Sequence, residues 1–247
     1  MPAHALVQGA SRGLGLGFVH ALLARGHHVI ATCRDPAGAT ALQTLRAEHP
    51  TRLTTLRLDV EDEPSIEAAA AAAAGLTYGL DLLLNVAGLL HADGLKPEKR
   101  LAQLDPAALT RLFAVNAIGP ALVVKHLRPL LIHGRRAVVA NLSARVGSIG
   151  DNRLGGWYGY RASKAAQNQL TRTMALELGR RSKATITVAL HPGTVATELS
   201  APFTARRPAD RIFPVERAVR QLLTVIDGLT PDDNGRFIAW DGSPIEW

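Results

Sequence analysis

Two tyrosines and a lysine lie close together in the segment Gly155–Lys164, which reads GGWYGYRASK. If a helix begins near Trp157, Tyr160 and Lys164 are four residues apart and lie on one face of it. Tyr158 has no lysine at that spacing. A nearby ammonium group lowers the pKa of a phenol from about 10, which would suit Tyr160 to proton transfer in carbonyl reduction or alcohol oxidation. We therefore expect Tyr160 to act as an acid or base, and Tyr158 to pack or to line a pocket.

A glycine-rich loop follows the first predicted strand, with the spacing Gly-x3-Gly-x-Gly. Glycines let the chain turn tightly and let backbone N–H groups approach a phosphate. The helix that begins after such a loop offers partial positive charge and free N–H donors to a pyrophosphate. A strand, glycine loop and helix in this order predict a dinucleotide site. Its expected members are Gly9, Ser11, Arg12, Gly13, Leu14 and Gly15.

The end of the second predicted strand bears on which dinucleotide binds. Arg34 and Asp35 follow Cys33 at this point. An acidic residue in this region usually bonds the ribose 2′-hydroxyl of NAD, whereas an arginine accommodates the 2′-phosphate of NADP. A guanidinium group matches phosphate geometry, and Arg12 could close on the same phosphate. We therefore expect NADP(H) to be preferred, and NAD(H) is not excluded.

Short apolar runs alternate with helical patterns along the chain and would position these residues. Such alternation predicts parallel strands joined by right-handed crossovers, and the apolar strands indicate a sheet covered on both faces. The predicted strands are Ala5–Val7, His28–Cys33, Leu53–Val60, Leu80–Val86, Ala137–Leu142, Thr185–Leu190 and Arg236–Trp240. The predicted helices are Phe18–Arg25, Ala39–Glu48, Ser65–Ala74, Thr110–Leu131 with a break near Gly119 and Pro120, Tyr158–Gly179 and Val215–Ile226. The sequence predicts one α/β domain over residues 1–247, with a doubly wound parallel sheet of about seven strands and helices on both faces.

The composition argues against several other classes of protein. The 28 lysines and arginines exceed the 21 acidic residues, but they are scattered, which argues against a nucleic-acid site. Cys33 is the single cysteine, so no intrachain disulfide can form. The nine histidines have no metal-binding spacing. We see neither a signal peptide nor an uninterrupted apolar run of the ~18 residues that a membrane span needs. We therefore expect a cytoplasmic protein that binds a small molecule, and no metal, nucleic acid or membrane.

The glycine spacing and the Tyr-x3-Lys pair together resemble the short-chain dehydrogenase/reductase family, and the resemblance covers the whole chain. The segments SARVGSIGDN, GGWYGYRASKAAQNQ and WDGSPIEW are most similar to its C-factor and sniffer-like carbonyl reductase branch. The resemblance implies a single Rossmann-type domain and an oxidoreductase that interconverts a carbonyl and an alcohol with NADP(H). It also implies a homodimer or homotetramer, formed through the helices Thr110–Leu131 and Tyr158–Gly179.

Several site residues are assigned by the resemblance alone. Lys164 would bond the nicotinamide ribose, and Asn116 would hold a water in a proton relay to that lysine. The other implied cofactor contacts are Asp59 and Val60 beside the adenine, Asn85, Ala87 and Gly88 under the cofactor, and Pro192, Gly193, Val195 and Thr197 at the nicotinamide end. The chain departs from the family at Gln8, where a threonine is usual, and at Val86, where a second asparagine is usual.

The serine that polarises the substrate carbonyl in the family has no direct counterpart here. A strict alignment of Asn141–Ser148 places Ala144 at its position. Ser143 or Ser148 could supply the hydroxyl, and Ser143 is our catalytic candidate. A shift of one residue along a strand turns a side chain to the other face, and loss of one such donor costs roughly 10²–10³ in rate.

Substrate specificity is expected to reside in the loop-like segments Leu89–Arg100, Val146–Gly156 and Ala196–Pro214. Neither these segments nor the motifs name the substrate. Because Ala144 replaces the family serine, the alternative is a cofactor-binding signalling or regulatory protein of the same fold with little turnover.

Overall fold

Seven strands form one parallel sheet. The computed structural model describes residues 3–204 and 208–247, so residues 205–207 of the predicted specificity segment Ala196–Pro214 lie outside the described residues. The strands are β1 His4–Gln8, β2 His28–Cys33, β3 Leu53–Arg57, β4 Leu82–Asn85, β5 Ala137–Leu142, β6 Thr185–His191 and β7 Phe237–Ala239. Their order across the sheet is β3-β2-β1-β4-β5-β6-β7, and each neighbouring pair is parallel. The predicted doubly wound parallel sheet of seven strands is confirmed.

Helices connect the strands and cover both faces of the sheet. They are α1 Gly13–Ala24, α2 Thr40–Glu48, α3 Glu63–Leu76, α4 Pro106–Phe113, α5 Gly119–Leu131, α6 Tyr158–Arg181, α7 Ala201–Thr204 and α8 Val215–Gly228. Short 3-10 turns lie at Leu101–Gln103, Arg145–Gly147, Ala209–Arg211 and Pro231–Asp233. The sequence placed the long helices correctly and differed from the structure mainly at their ends.

The core has one apolar layer on each face of the sheet, because alternate residues of a strand point to opposite faces. Val7 packs with Phe18 and Leu222 on the face that carries α1 and α8. Its neighbour Leu6 packs with Ile66 on the face that carries α3 and α5. Burial on both faces explains why the strands read as near-continuous apolar runs.

The α-helix is interrupted next to the predicted break at Gly119 and Pro120, by a π turn. Residues Ala114–Ile118 form a π turn that joins α4 to α5, and Pro120 lies in the first turn of α5, where its missing N–H costs little. The resulting stretch Pro106–Leu131 contains an 18-residue window with a mean hydropathy of 1.6, so by length and composition alone it could cross a membrane. In this fold, α4 packs against α6, and α5 packs against α3 and α6.

The parallel arrangement brings the carboxyl ends of all the strands to one edge of the sheet. The chain reverses its direction of travel across the sheet between β1 and β4, which are neighbours. In open α/β sheets, ligands bind outside the carboxyl ends of the strands at such a reversal point. The loops after β1, β4, β5 and β6 meet there.

Candidate active site

A cavity of about 1030 Å³ lies at this edge of the sheet, large for a small-molecule site. Most of the predicted site residues line it. They are Gly9, Ser11, Arg12, Gly13, Leu14, Gly15, Arg34, Asp59, Val60, Ala87, Gly88, Ser143, Tyr160, Lys164, Pro192, Gly193, Val195 and Thr197. Two other predicted residues, Asn85 and Asn116, do not line it. We call the part formed by residues 9–15, 34, 59 and 60 the glycine-loop side.

The glycine loop packs so closely that side chains are excluded from it. A Cβ atom on Gly9 would lie 2.7 Å from the backbone nitrogen of Ala87, and one on Gly15 would collide with the carbonyl oxygen of Gly9. Gly9 and Gly13 also have positive φ values of 83° and 54°, which favour glycine. Gln8, the departure from the family threonine, accepts a hydrogen bond from the Ala87 N–H through Oε1 (3.1 Å). This side chain therefore ties the glycine loop to the segment after β4.

The amino terminus of α1 faces the cavity with its N–H donors uncapped. Among the described residues, no side chain caps this helix, and no acidic residue occupies its first turn. Gly13, at the start of α1, would direct a Cβ atom to within 3.5 Å of Thr197 across the cavity. A helix terminus of this kind binds anions through free N–H groups and the helix dipole. The residues present therefore fit the pyrophosphate of a dinucleotide.

Arg34 and Asp35 differ in where their side chains are engaged. Asp35 accepts a hydrogen bond from the Gly38 N–H (3.0 Å) within its own loop and does not line the cavity. Arg34 lines the cavity, is exposed, and makes no hydrogen bond or ion pair with any residue that the structure describes. The cation rather than the carboxylate is thus available to a ligand, which fits a 2′-phosphate.

Tyr160 and Lys164 lie side by side at the wall of the cavity, as the helical spacing predicts. Lys164 Nζ lies 6.0 Å from the centre of the Tyr160 ring, and both side chains are buried. Burial raises the pKa of Tyr160 above its ordinary value and lowers the pKa of Lys164 to about 7. The predicted lowering of the Tyr160 pKa is therefore wrong for this arrangement, because desolvation of the phenolate is the dominant effect.

The Lys164 ammonium group is held by two acceptors. Nζ donates to the carbonyl oxygen of Leu142 (2.8 Å) and to Oε1 of Gln167 (2.9 Å). A lysine has three N–H donors, so one is left for a ligand. A Cβ atom on Gly88 would approach Nζ to 3.8 Å, which shows that this nitrogen borders the cavity beside the segment after β4.

Asn85 is buried and does not line the cavity, and its assignment as a cofactor contact stays a prediction. Its Nδ2 donates to Oδ1 of Asn141 (2.8 Å), and Nδ2 of Asn141 donates to the Thr171 hydroxyl (2.9 Å). The parallel register places Asn85 opposite Asn141, so the two amides meet inside the protein. This buried chain ties β4 and β5 to α6, the helix that carries Tyr160 and Lys164, and buried polar groups need such partners.

Asn116 lies in the π turn, fully buried, and holds the backbone at Leu89. Its Oδ1 accepts the Leu89 N–H (2.7 Å), and its Nδ2 donates to the Leu89 carbonyl oxygen (2.8 Å) and to the Ser163 hydroxyl (3.0 Å). Isolated π turns occur frequently at functional sites. The structure thus shows Asn116 as a clamp on the cavity wall, and its role in a proton relay stays a prediction.

The structure separates the three positions considered for the carbonyl-polarising serine. Ser143 donates its hydroxyl to Oδ1 of Asn168 (2.6 Å), so its proton is not available to a substrate. Ser148 is buried and accepts the Asp151 N–H (3.1 Å). Ala144 packs in the same apolar cluster as Tyr160 and lines the cavity. Ser143 lines the cavity with its hydroxyl engaged by Asn168, and its assignment as catalytic stays a prediction.

Apolar and aromatic side chains form the part of the cavity beside Tyr160, which we call the aromatic side. Trp157 stacks edge-on against Tyr160 and against Phe203, with ring centres 6.2 and 4.9 Å apart. Its members are Leu90, Ala144, Val146, Trp157, Leu199 and Phe203. Leu90, Val146, Leu199 and Phe203 come from the three segments in which we expected substrate specificity, whereas Ala144 and Trp157 lie just outside them.

Glu98 positions the start of α6, and the sequence analysis missed it. Glu98 is 5% exposed, and its Oε2 accepts the Gly159 N–H (3.2 Å) in the first turn of α6. Its carbonyl oxygen accepts the Trp157 N–H (2.5 Å), and Trp157 has a left-handed φ of 53°. Such a conformation persists only where surrounding contacts enforce it. In the sequence, the pair Gly155-Gly156 before Trp157 indicates an unusual turn. No pattern indicates that Glu98, 61 residues before Gly159, holds this turn in place.

His191 also lines the cavity but is not suited to donating a proton. Burial lowers its pKa to about 4, so the imidazole is neutral at pH 7. Its Nδ1 accepts the Arg145 N–H (3.3 Å). Tyr160 and Lys164 are therefore the better candidates for proton transfer.

Known proteins share both the sequence pattern and the fold. The pattern of the short chain dehydrogenase family matches residues 3–208. The chain is 34% identical to the 1-hydroxy-2-glutathionyl-2-methyl-3-butene dehydrogenase of Rhodococcus sp. (strain AD45), over 98% of each protein. It is 39% identical to the C-signal protein of Myxococcus xanthus over 69% of this chain and 95% of that protein.

Two solved structures superpose over the whole chain. The NADPH-bound carbonyl reductase from chicken fatty liver has a TM-score of 0.89 and 35% identity, covering 100% of this chain and 99% of that one. The carbonyl reductase Sniffer of D. melanogaster has a TM-score of 0.88 and 28% identity, covering 100% of both chains. The resemblance to the C-factor and sniffer-like branch is confirmed.

Proposed function

Because the chain belongs to the short-chain dehydrogenase/reductase family of oxidoreductases, we propose that it is an NADPH-dependent reductase of small aldehydes or ketones with an apolar body. The observation that best supports this proposal is the position of Tyr160 and Lys164. Both are buried at the wall of the cavity, where the glycine-loop side meets the aromatic side. A carbonyl on the aromatic side would lie within reach of a phenol and of a dinucleotide held by the glycine loop.

The residues of the glycine-loop side support NADPH as the cofactor. The uncapped terminus of α1 would hold the pyrophosphate, and Arg34 would hold the 2′-phosphate. Lys164 would use its remaining N–H on the nicotinamide ribose. When bound, the cofactor supplies the hydride. The related carbonyl reductase from chicken fatty liver was solved with NADPH bound, which supports the same choice here.

Tyr160 would act as the acid. Its raised pKa keeps the phenol protonated at neutral pH, and an alkoxide forming on the substrate is basic enough to take that proton. Lys164 can carry charge near pH 7, because its pKa is about 7, and it would stabilise the phenolate that is left. Trp157 and Phe203 would hold the apolar body and exclude water from the reacting carbonyl.

The test is the oxidation of NADPH with a panel of aldehydes, ketones and quinones, with NADH as the second cofactor. We expect turnover with NADPH that Tyr160→Phe lowers about 10³-fold, in line with a general acid, while NADPH binding stays within about twofold of the parent, because the ring is retained. Tyr158→Phe is the matched control, since Tyr158 does not line the cavity. Equal activity in the parent and Tyr160→Phe would overturn the proposal.

A cofactor-binding protein with little turnover is the second candidate. Ala144 favours it, because the cavity lacks the family's carbonyl-polarising hydroxyl at that position. Tight NADPH binding with no turnover above Tyr160→Phe would select this candidate. A cytoplasmic location and a homodimer or homotetramer remain proposals, to be tested by cell fractionation and light scattering.

A further inference from the structure

The arginines of the cavity divide into those with protein partners and those without. Among the residues that the structure describes, six arginines line it, and four of these are engaged. The engaged pairs are Arg12 with Glu198, Arg111 with Glu61 (3.8 Å), Arg145 with Asp151 (3.2 Å), and Arg161 with the carbonyl oxygens of Val146, Gly155 and Gly156. Arg34 and Arg153 have no hydrogen bond or ion pair through their guanidinium groups among the described residues. These two cations are therefore available to ligands.

Arg34 and Arg153 belong to different ends of the cavity. Arg34 follows β2, whereas Arg153 lies in the segment between β5 and α6. In the sheet order, β1 and β4 lie between β2 and β5, which separates the two strands by about 14 Å. With Arg34 assigned to the 2′-phosphate by the proposed function, Arg153 is left for a different anionic group. The segment after β5 that carries Arg153 also supplies Ala144 and Val146 to the aromatic side.

The segment that carries Arg153 is held by its own hydrogen bonds. The Ser148 hydroxyl accepts the Asp151 N–H (3.1 Å), and Oδ1 of Asn152 accepts the Gly155 N–H (3.1 Å). The Asp151 carbonyl oxygen accepts the Arg153 N–H (3.0 Å). The polar side chains of this segment are thus used to build the turn. Arg153 is the exception, and it borders the cavity beside Leu154, which is 91% exposed.

On the premise of the proposed function, we propose that the substrate carries a carboxylate or a similar anionic group at the end of its apolar body, and that Arg153 binds this group. A guanidinium fork matches a carboxylate with two parallel hydrogen bonds. The neighbouring Asp151 does not compete for Arg153, because it pairs with Arg145. Asp93 also lines the cavity without an ion-pair partner among the described residues, so we expect the anionic group beside Arg153 and away from Asp93.

The experiment compares two aldehydes that differ in one charge, 4-carboxybenzaldehyde and methyl 4-formylbenzoate, with NADPH in excess. The measured quantity is the ratio of their kcat/KM values. We expect a ratio of about 10 in favour of the carboxylate, as for a charge-assisted hydrogen bond. The ratio should fall as salt is added, because the contact is exposed to solvent. A ratio of one or below in the parent protein would overturn the proposal.

Arg153→Gln tests the assignment to this residue. We expect its ratio of kcat/KM values to fall to about one, through a higher KM for the carboxylate. Arg181→Gln is the matched control, because it removes the same charge at the far end of α6, and it should keep the parental ratio. An unchanged ratio in Arg153→Gln, or an equal fall in Arg181→Gln, would contradict a contact with Arg153.

A binding measurement separates failure of this proposal from failure of the proposed function. If neither aldehyde is reduced, the proposed function fails. Calorimetry then still tests Arg153, with 4-(hydroxymethyl)benzoate titrated into the protein in the presence of NADP+. We expect about tenfold weaker binding to Arg153→Gln than to Arg181→Gln. Equal binding to the two variants would overturn the role of Arg153.

Discussion

The glycine-loop side of the cavity is built mainly from backbone, whereas the aromatic side is built from side chains of distant segments. On the glycine-loop side, Gly9 and Gly15 pack where no Cβ atom fits, and the first turn of α1 presents bare N–H groups. On the aromatic side, Trp157 and Phe203 meet across 46 residues of sequence. The first arrangement suits a ligand that is the same in every turnover, and the second can change with the substrate.

This difference locates where the chain keeps the family's chemistry and where it departs from it. Next to the glycine loop, Gln8 stands where the family has a threonine, and its side chain still forms a hydrogen bond with the segment after β4. On the aromatic side, Ala144 faces the cavity and Ser143 is bonded to Asn168, so the missing hydroxyl is not replaced by its neighbour.

After Tyr160, the largest effect is expected at Lys164, where the two sides meet. We expect Lys164→Met to lower kcat/KM about 10²-fold, because it removes a donor to the cofactor and to Tyr160. Lys183→Met, an exposed lysine beyond the end of α6, is the control. Steady-state kinetics with NADPH would check this. Similar losses of kcat/KM in both variants would contradict a role for Lys164 in the site.

Lys164 should also leave a signature in stability. Its pKa is about 7 in the folded protein and 10.5 ordinarily, so the unfolded state binds more protons between these values. The free energy of unfolding therefore rises with pH across this window. Denaturant unfolding should show that rise in the parent and in Lys183→Met, and a smaller rise in Lys164→Met. The same pH dependence in all three proteins would contradict the lowered pKa.

A smaller effect, confined to the glycine-loop side, is expected at Arg34. We expect Arg34→Gln to raise the KM for NADPH about tenfold and to leave the KM for NADH within about twofold, because only NADPH has the 2′-phosphate. Asp35→Asn is the control, since Asp35 is engaged by Gly38. A loss of NADPH preference in Asp35→Asn and not in Arg34→Gln would reverse the assignment.

The smallest effect is expected on the aromatic side, at Ala144. We expect Ala144→Ser to raise kcat about fivefold, because it places a hydroxyl donor in the apolar cluster of Tyr160. Ser143→Ala should change kcat by less than about twofold and lower the free energy of unfolding by about 1 kcal/mol, since it breaks a buried hydrogen bond. A large loss of kcat in Ser143→Ala would support the assignment of Ser143 as catalytic.

The sequence predicted the sheet and the glycine-loop side well, because these depend on local patterns. Apolar runs specify strands, and Gly9, Gly13 and Gly15 specify a tight turn before a helix without reference to distant residues. The spacing of Tyr160 and Lys164 is local in the same way. An irregularity near Pro120 was predictable from the residue types, but its form, a π turn over Ala114–Ile118 directly before α5, was not.

The features that the sequence did not predict depend on contacts between segments that are distant in sequence. Asn85 points inside because the register sets it opposite Asn141. Glu98 can hold the first turn of α6 because the fold brings it next to Gly159, which is 61 residues later in the sequence. The pKa of Tyr160 is raised because the side chain is buried. The spacing between Tyr160 and Lys164 in the sequence gives no information about this burial.

The most direct test of the proposed function is the transfer of deuterium from NADPH labelled at C4 of the nicotinamide ring. The parent protein would be incubated with labelled NADPH and either methyl 4-formylbenzoate or 4-carboxybenzaldehyde, and the alcohol analysed by mass spectrometry. We expect one deuterium at the new benzylic carbon from one of the two C4-labelled epimers, and only traces of alcohol with Tyr160→Phe. Unlabelled alcohol from both epimers, or no alcohol despite bound NADPH, would contradict the account.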